Sequence, residues 1–275
     1  GSPAPNLDIE HWLSDGNGFF KPVKELEPGK VYVVEFWATW CSPCIASMPH
    51  LAELQNKYRG RDVQIVSVSD EPLETVEEFL KREAEVAKDE TKTFAEITAA
   101  YSLTTDPDRS VYEAYMDASQ QQGIPTAFIV GKDGKIEWIG HPMEMDEPLE
   151  KVASDSWDRV AFAKLYEADK NFDVVLQRIS VLAGSGKFDE ALAAIDAELK
   201  SDRPDEIKAR WVEIRNRVKL SGGMIDAEVV AFFKQELATS KGDAVAVARV
   251  GWPMYQVARE QKGLDERLAA PITPI

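Results

Sequence analysis

The stretch that decides the fold is Val31-Tyr32-Val33-Val34-Glu35-Phe36 followed by Trp37-Ala38-Thr39-Trp40-Cys41-Ser42-Pro43-Cys44. The first six residues are apolar and β-branched or aromatic except for one acid, the pattern of a buried strand. Beyond Cys44, residues 45–58 place Ile45, Met48, Leu51, Ala52, Leu54 and Tyr58 mostly at helical spacing, which predicts a helix. The chain's 2 cysteines therefore fall together at a strand-to-helix junction. There, free backbone N–H groups and the helix dipole favour a thiolate on the first sulfur. That is the setting of a dithiol redox centre.

Composition narrows the rest. At 275 residues, with 44% hydrophobic side chains, the chain is long enough for two domains with full cores. The net charge of −16 falls almost wholly on residues 1–154. This acidity argues against nucleic acid or an anionic membrane as a partner and suits either a basic client or plain solubility. Two cysteines cannot form a disulfide scaffold. The opening Gly1-Ser2-Pro3-Ala4-Pro5 has no signal-peptide pattern, and Gly1-Ser2 reads as a cloning remnant.

Outward from the cysteines, residues 7–30 alternate apolar stretches with turns and predict a β-hairpin or paired strands leading into the central strand. A second buried strand is predicted at 62–69, an amphipathic helix at 73–87, and a polar segment with one short strand at 88–108. A helix follows at 111–116. Residues 123–130 and 135–140, joined by Gly131-Lys132-Asp133-Gly134, form a β-hairpin, and a short helix around 148–153 finishes the first domain. From Asp155 the period changes to that of helices, predicted at 157–168, 172–183, 187–200, 205–219, 226–239 and 244–259, with an irregular tail from Leu264.

The Trp-Cys-x-x-Cys after a buried strand, Pro49 five residues beyond Cys44, and Ile124-Pro125-Thr126 opening a hairpin together resemble the thioredoxin superfamily. Glu35-Phe36-Trp37-Ala38-Thr39-Trp40-Cys41-Ser42-Pro43-Cys44 most resembles its TlpA/ResA-like thiol-disulfide oxidoreductase branch. The resemblance covers about residues 5–154. It implies an α/β thioredoxin-like fold, a central mixed sheet flanked by helices, in residues 1–154, followed by an all-α domain in 155–275.

The resemblance also implies a redox-active Cys41–Cys44 disulfide and no other cofactor. Cys41 is then the exposed nucleophile and Cys44 the buried partner that resolves the mixed disulfide. Pro125 matches the family's cis-proline, which leaves the backbone of Ile124 to pair with an extended client. Glu35 stands at the family's buried acid, a proton acceptor for Cys44, where TlpA-like proteins often lack a carboxylate. Placed among Val33, Val34 and Phe36, it is either a desolvated acid with a raised pKa or an edge residue reaching water. Trp40 is assigned to shielding the dithiol or to the client surface, and Trp37 to the core. The implied partners are a client protein with a disulfide and an upstream thiol-disulfide electron donor, in a periplasmic or otherwise extracytoplasmic setting.

Other readings carry less. A structural zinc site needs four ligands, and His11, His50 and His141 show no ligand spacing with the cysteines. Peroxidase chemistry, found in a related branch, calls for Thr three residues before the reactive cysteine, where this chain has Ala38. Met143 and Met145 read as linker or packing residues. Ser185 to Pro204 is similar to the second helix of a tetratricopeptide repeat, without a second copy. It predicts a helical hairpin that docks a partner or extends the structure. The alternative function is a thioredoxin-fold binding or scaffold protein with little turnover.

Overall fold

The computed structural model describes residues 1–87, 90–240 and 242–260. The chain divides into two compact units, Gly1–Phe162 and Ala163–Ile275.

The first unit is built on a six-stranded mixed sheet. Its strands are β1 (His11–Trp12), β2 (Val31–Trp37), β3 (Val63–Ser69), β6 (Ser102–Thr105), β7 (Thr126–Val130) and β8 (Ile136–Gly140), in the order β1-β6-β3-β2-β7-β8. β2 runs parallel to β3 and β3 to β6, while β1, β7 and β8 pair antiparallel with their neighbours. β2 lies between two strands and is buried at every position. Its period of two sends Val31, Val33 and Trp37 into one core with Met48, Leu51, Leu54 and Tyr101. Tyr32, Val34 and Phe36 go into the other, with Leu7, Tyr115 and Phe128. Helix α1 (Ser42–Lys57) closes the first face. This is the mixed sheet flanked by helices that the family resemblance implies.

Three local expectations are corrected. Residues 7–30 do not form a hairpin: only His11–Trp12 is a strand, and it pairs with β6. Leu7, Ile9 and Val23 are instead pulled individually into the core. Helix α2 (Leu73–Leu80) stops well short of residue 87, because its apolar face of Val76, Phe79 and Leu80 finds no apolar successor at Glu83. The chain turns there into a separate antiparallel ribbon, β4 (Glu83–Ala87) with β5 (Glu90–Thr93). The segment 88–108 holds more than one short strand. It contains β5, a capped helix α3 (Phe94–Thr98), with Thr93 and Glu96 satisfying each other's backbone N–H groups, and β6. The helix expected at 111–116 is present: α4 (Ser110–Tyr112) continues as a π-helical turn at Glu113–Asp117. The β7–β8 hairpin and α5 (Asp146–Ala153) follow the sequence.

The first unit ends within α6 (Arg159–Gly184), and α7 (Phe188–Lys200), α8 (Asp205–Ser221), α9 (Ala227–Thr239) and α10 (Ala244–Glu260) follow. The two helices expected at 157–168 and 172–183 are one continuous 26-residue helix. Asp169-Lys170-Asn171 contains no breaker, and Ala168 and Phe172 carry a buried stripe straight across it to Ile179. Phe172 packs on Trp211 of α8 with ring centroids 4.3 Å apart and tilted, joined by Ala191 and Ile195 of α7. Val229, Val230 and Phe233 of α9 meet Leu220 and Val250 in a second cluster. The irregular tail expected from Leu264 lies outside the described residues.

Candidate active site

Cys41 and Cys44 are joined by a disulfide with a Cα–Cα separation of 5.2 Å. Cys41 is the N-cap of α1, in extended conformation, and its Sγ accepts a hydrogen bond from the Cys44 N–H at 3.2 Å. Pro43 occupies the first turn, where its missing N–H costs nothing because such groups have no intrahelical partner. The first sulfur thus meets one of the unsatisfied donors of the helix start.

The turn from β7 faces this pair. The Ile124–Pro125 bond is cis, and the Ile124 carbonyl oxygen lies 3.7 Å from Cys41 Sγ. Thr126 Oγ1 donates to the Gly123 carbonyl at 2.7 Å and tightens the same turn. The cis assignment of Pro125, which the resemblance implies, agrees with the backbone seen here.

The expectation of an exposed Cys41 is corrected. Cys41 is 3% exposed and Cys44 1%, so both sulfurs are covered. The physical reason is enclosure: in the disulfide, Cys41 Sγ is bonded to its partner and sits between the first turn of α1 and the Ile124 carbonyl. The accessible surface belongs to the neighbouring Trp40, which is 72% exposed. Trp37 is buried and packs on Phe79 at 5.5 Å, a core residue as expected.

Glu35 does not reach water. It is in the central strand, shares the α1-facing side of the sheet with Val33 and Trp37, and is 1% exposed. Ser67, directly opposite on β3, donates its hydroxyl to Oε2, while Oε1 has no partner. Burial pushes the Glu35 carboxyl up to about 7, and the Ser67 hydrogen bond pulls back against that rise. The Tyr101 hydroxyl is also fully buried and unpartnered. Burial first, and the charge of Glu35 second, hold it protonated.

Two groups escaped the sequence reading. Ser67 and Ser69 interrupt the apolar run of β3 at odd positions, on the side of Glu35, a visible signal of polar business on that face. Glu71 hydrogen-bonds Thr39, two residues before Cys41, with no local pattern to announce it. Met145 is buried in the core while Met143 is exposed. Among the described residues, no group of three or more His, Cys, Asp or Glu is arranged to hold a metal ion.

The chain has relatives among known proteins. The AhpC/TSA family matches residues 1–139. The chain is 28% identical over 159 residues to Protein FixW of Rhizobium leguminosarum, covering 57% of this chain and 67% of that protein. It is 31% identical over 137 residues to the thiol-disulfide oxidoreductase ResA of Bacillus subtilis (strain 168), covering 50% of this chain and 64% of ResA. Among solved structures, a thioredoxin family thiol:disulfide interchange protein from Chlorobium tepidum TLS aligns with 19% identity over 55% of this chain and 96% of its own, at a TM-score of 0.41. The chain thus spans about two thirds of the length of these curated relatives. The chain belongs to the AhpC/TSA family and is similar over half its length to the thiol-disulfide oxidoreductase ResA.

Proposed function

We propose that this chain is a thiol-disulfide oxidoreductase that reduces disulfides of client proteins. The observation that carries this reading is the Cys41–Cys44 disulfide set at the start of α1, with the Cys44 N–H on Cys41 Sγ. In the reduced form the same donor and the helix N-terminus stabilise a Cys41 thiolate.

The reaction proceeds in two exchanges. The Cys41 thiolate attacks a client sulfur, forms a mixed disulfide and releases the other client sulfur as a thiolate. Cys44 then loses its proton and attacks Cys41 Sγ, which frees the second client thiolate and leaves Cys41–Cys44 oxidised. Two electrons have passed to the client, and an upstream dithiol donor returns them. Glu35, on the dithiol side of the sheet with a carboxyl near neutrality, is the acceptor for the Cys44 proton.

Client contact extends from Cys41 to its surroundings. Trp40 offers an exposed indole beside the dithiol, and the backbone of Ile124-Pro125 offers pairing groups to an extended client segment. The family relationship supports an extracytoplasmic location. Residues 155–275 are proposed as a separate domain that docks a partner or client.

Insulin reduction with a small-molecule dithiol as donor tests the reading. Wild type should accelerate precipitation and Cys41→Ser should not. Equal, negligible rates in both would defeat the enzyme reading and leave a binding protein.

A further inference from the structure

The carboxylate of Glu71 has no part in the chemistry above, yet it is built into the redox loop from three sides. Residues 38–41 form a tight turn, closed by the Cys41 N–H donating to the Ala38 carbonyl at 3.1 Å. The two central N–H groups of such a turn have no partner inside it. Glu71 Oε2 accepts the first of them, the Thr39 N–H, at 2.6 Å, and Oε1 accepts the Thr39 hydroxyl at 2.8 Å. Each carboxylate oxygen therefore meets one donor of the same residue.

Glu71 is itself anchored. Ser69 Oγ donates to its Oε2 at 3.1 Å and accepts from its N–H at 3.2 Å. Thr105 Oγ1 donates to the Glu71 carbonyl, and the Asp106 N–H donates to the Ser69 carbonyl at 2.8 Å. The neighbouring Asp70 is paired with Arg109. The exits of β3 and β6 are thus tied together, and Glu71 extends from that knot to hold the turn leading into Cys41.

We propose that Glu71 is a positioning residue for the dithiol, gripping Thr39 so that the turn delivers Cys41 Sγ to the Cys44 N–H and the Ile124 carbonyl. Its functional meaning rests on the oxidoreductase reading. Position and charge make opposite predictions. Losing the grip weakens the hydrogen bond to the Cys41 thiolate and reduces its population. Losing a nearby negative charge alone would increase that population.

The test is the pH midpoint of Cys41 alkylation by iodoacetamide in the reduced protein, read by peptide mass spectrometry to separate it from Cys44. Glu71→Ala and Thr39→Val should each raise the midpoint by about 0.5–1 pH unit, about three- to tenfold less thiolate at a fixed pH below it. Thr39→Ser, which keeps both donors, should titrate as wild type. The double variant Glu71→Ala/Thr39→Val should move no further than Glu71→Ala alone.

A midpoint lowered or unmoved in Glu71→Ala, or effects that add in the double variant, would overturn the positioning role. Should Glu71→Ala fail to fold, the contrast between Thr39→Val and Thr39→Ser decides the matter. Alkylation needs no turnover, so failure of insulin reduction in wild type would defeat the oxidoreductase reading without touching this result.

Discussion

Replacing Glu35 by Gln should make the protein more tolerant of alkaline pH and a poorer catalyst. The carboxyl titrates near 4.5 when solvated and is pushed up to about 7 by burial in β2. Below pH 4.5 it is protonated in both folded and unfolded chains and contributes nothing. Between 4.5 and 7 the folded chain holds a proton that the unfolded chain releases, so stability falls as pH rises. Above 7 the loss is complete, about 3 kcal/mol from the displacement of the carboxyl pKa. Gln has no such dependence. Its carbonyl can keep the Ser67 hydroxyl, while its amide takes the place of the unpartnered Oε1 and costs about 1–3 kcal/mol at every pH. The absolute difference between the proteins is thus small, and the slope is the informative quantity. Urea unfolding of the oxidised proteins at pH 5 and pH 8 measures it, with the cysteines silent in the disulfide. Wild type should lose about 2–3 kcal/mol relative to Glu35→Gln over that interval. Turnover should move the other way, falling about 10²-fold or more at pH 7 if the proton acceptor is lost. Parallel pH dependences in the two proteins would refute the buried-acid argument.

Further outcomes follow from the same structure. Cys44→Ser should accumulate mixed disulfides between Cys41 and client proteins, seen on non-reducing gels and reversed by dithiothreitol; a reactive Cys41 that traps nothing would mean the resolving role is misassigned. In the helical unit, Trp211→Ala empties a fully buried site packed against Phe172 and should cost about 3–5 kcal/mol by chemical denaturation. Gly140→Ala would place a methyl group against the Trp138 ring and should cost about 1–3 kcal/mol through forced repacking of β8.

The parts legible in the sequence are those whose signal is local and apolar. β2 and α1 announce themselves by an unbroken hydrophobic run and a helical stripe, and the dithiol lies at their junction. The β7–β8 hairpin is equally plain from its turn residues. Charge density misleads elsewhere. The Glu- and Lys-rich stretch after Leu80 resembles the continuation of an amphipathic helix, but its strands are stabilised by pairing with each other, which no single-strand pattern displays. Asp169-Lys170-Asn171 reads as a break, although three polar residues on the solvent side do not stop a helix whose buried stripe continues. In the site, Glu35 was readable because an acid in a buried strand is conspicuous. The link from Glu71 to Thr39 spans 32 residues and depends on where two strands end, so only the fold reveals it. The covering of Cys41 is likewise tertiary, since it comes from a turn 83 residues away.

The central claim is that Cys41–Cys44 is a working redox couple and not a structural cross-link. The reduction potential measures this directly, by equilibrating the protein in graded dithiol/disulfide buffers and counting free thiols by mass after alkylation. The account predicts one reversible two-electron transition involving both cysteines, between about −120 and −270 mV, the span of catalytic dithiols. A disulfide that resists reduction below about −300 mV, in the structural range, would contradict it.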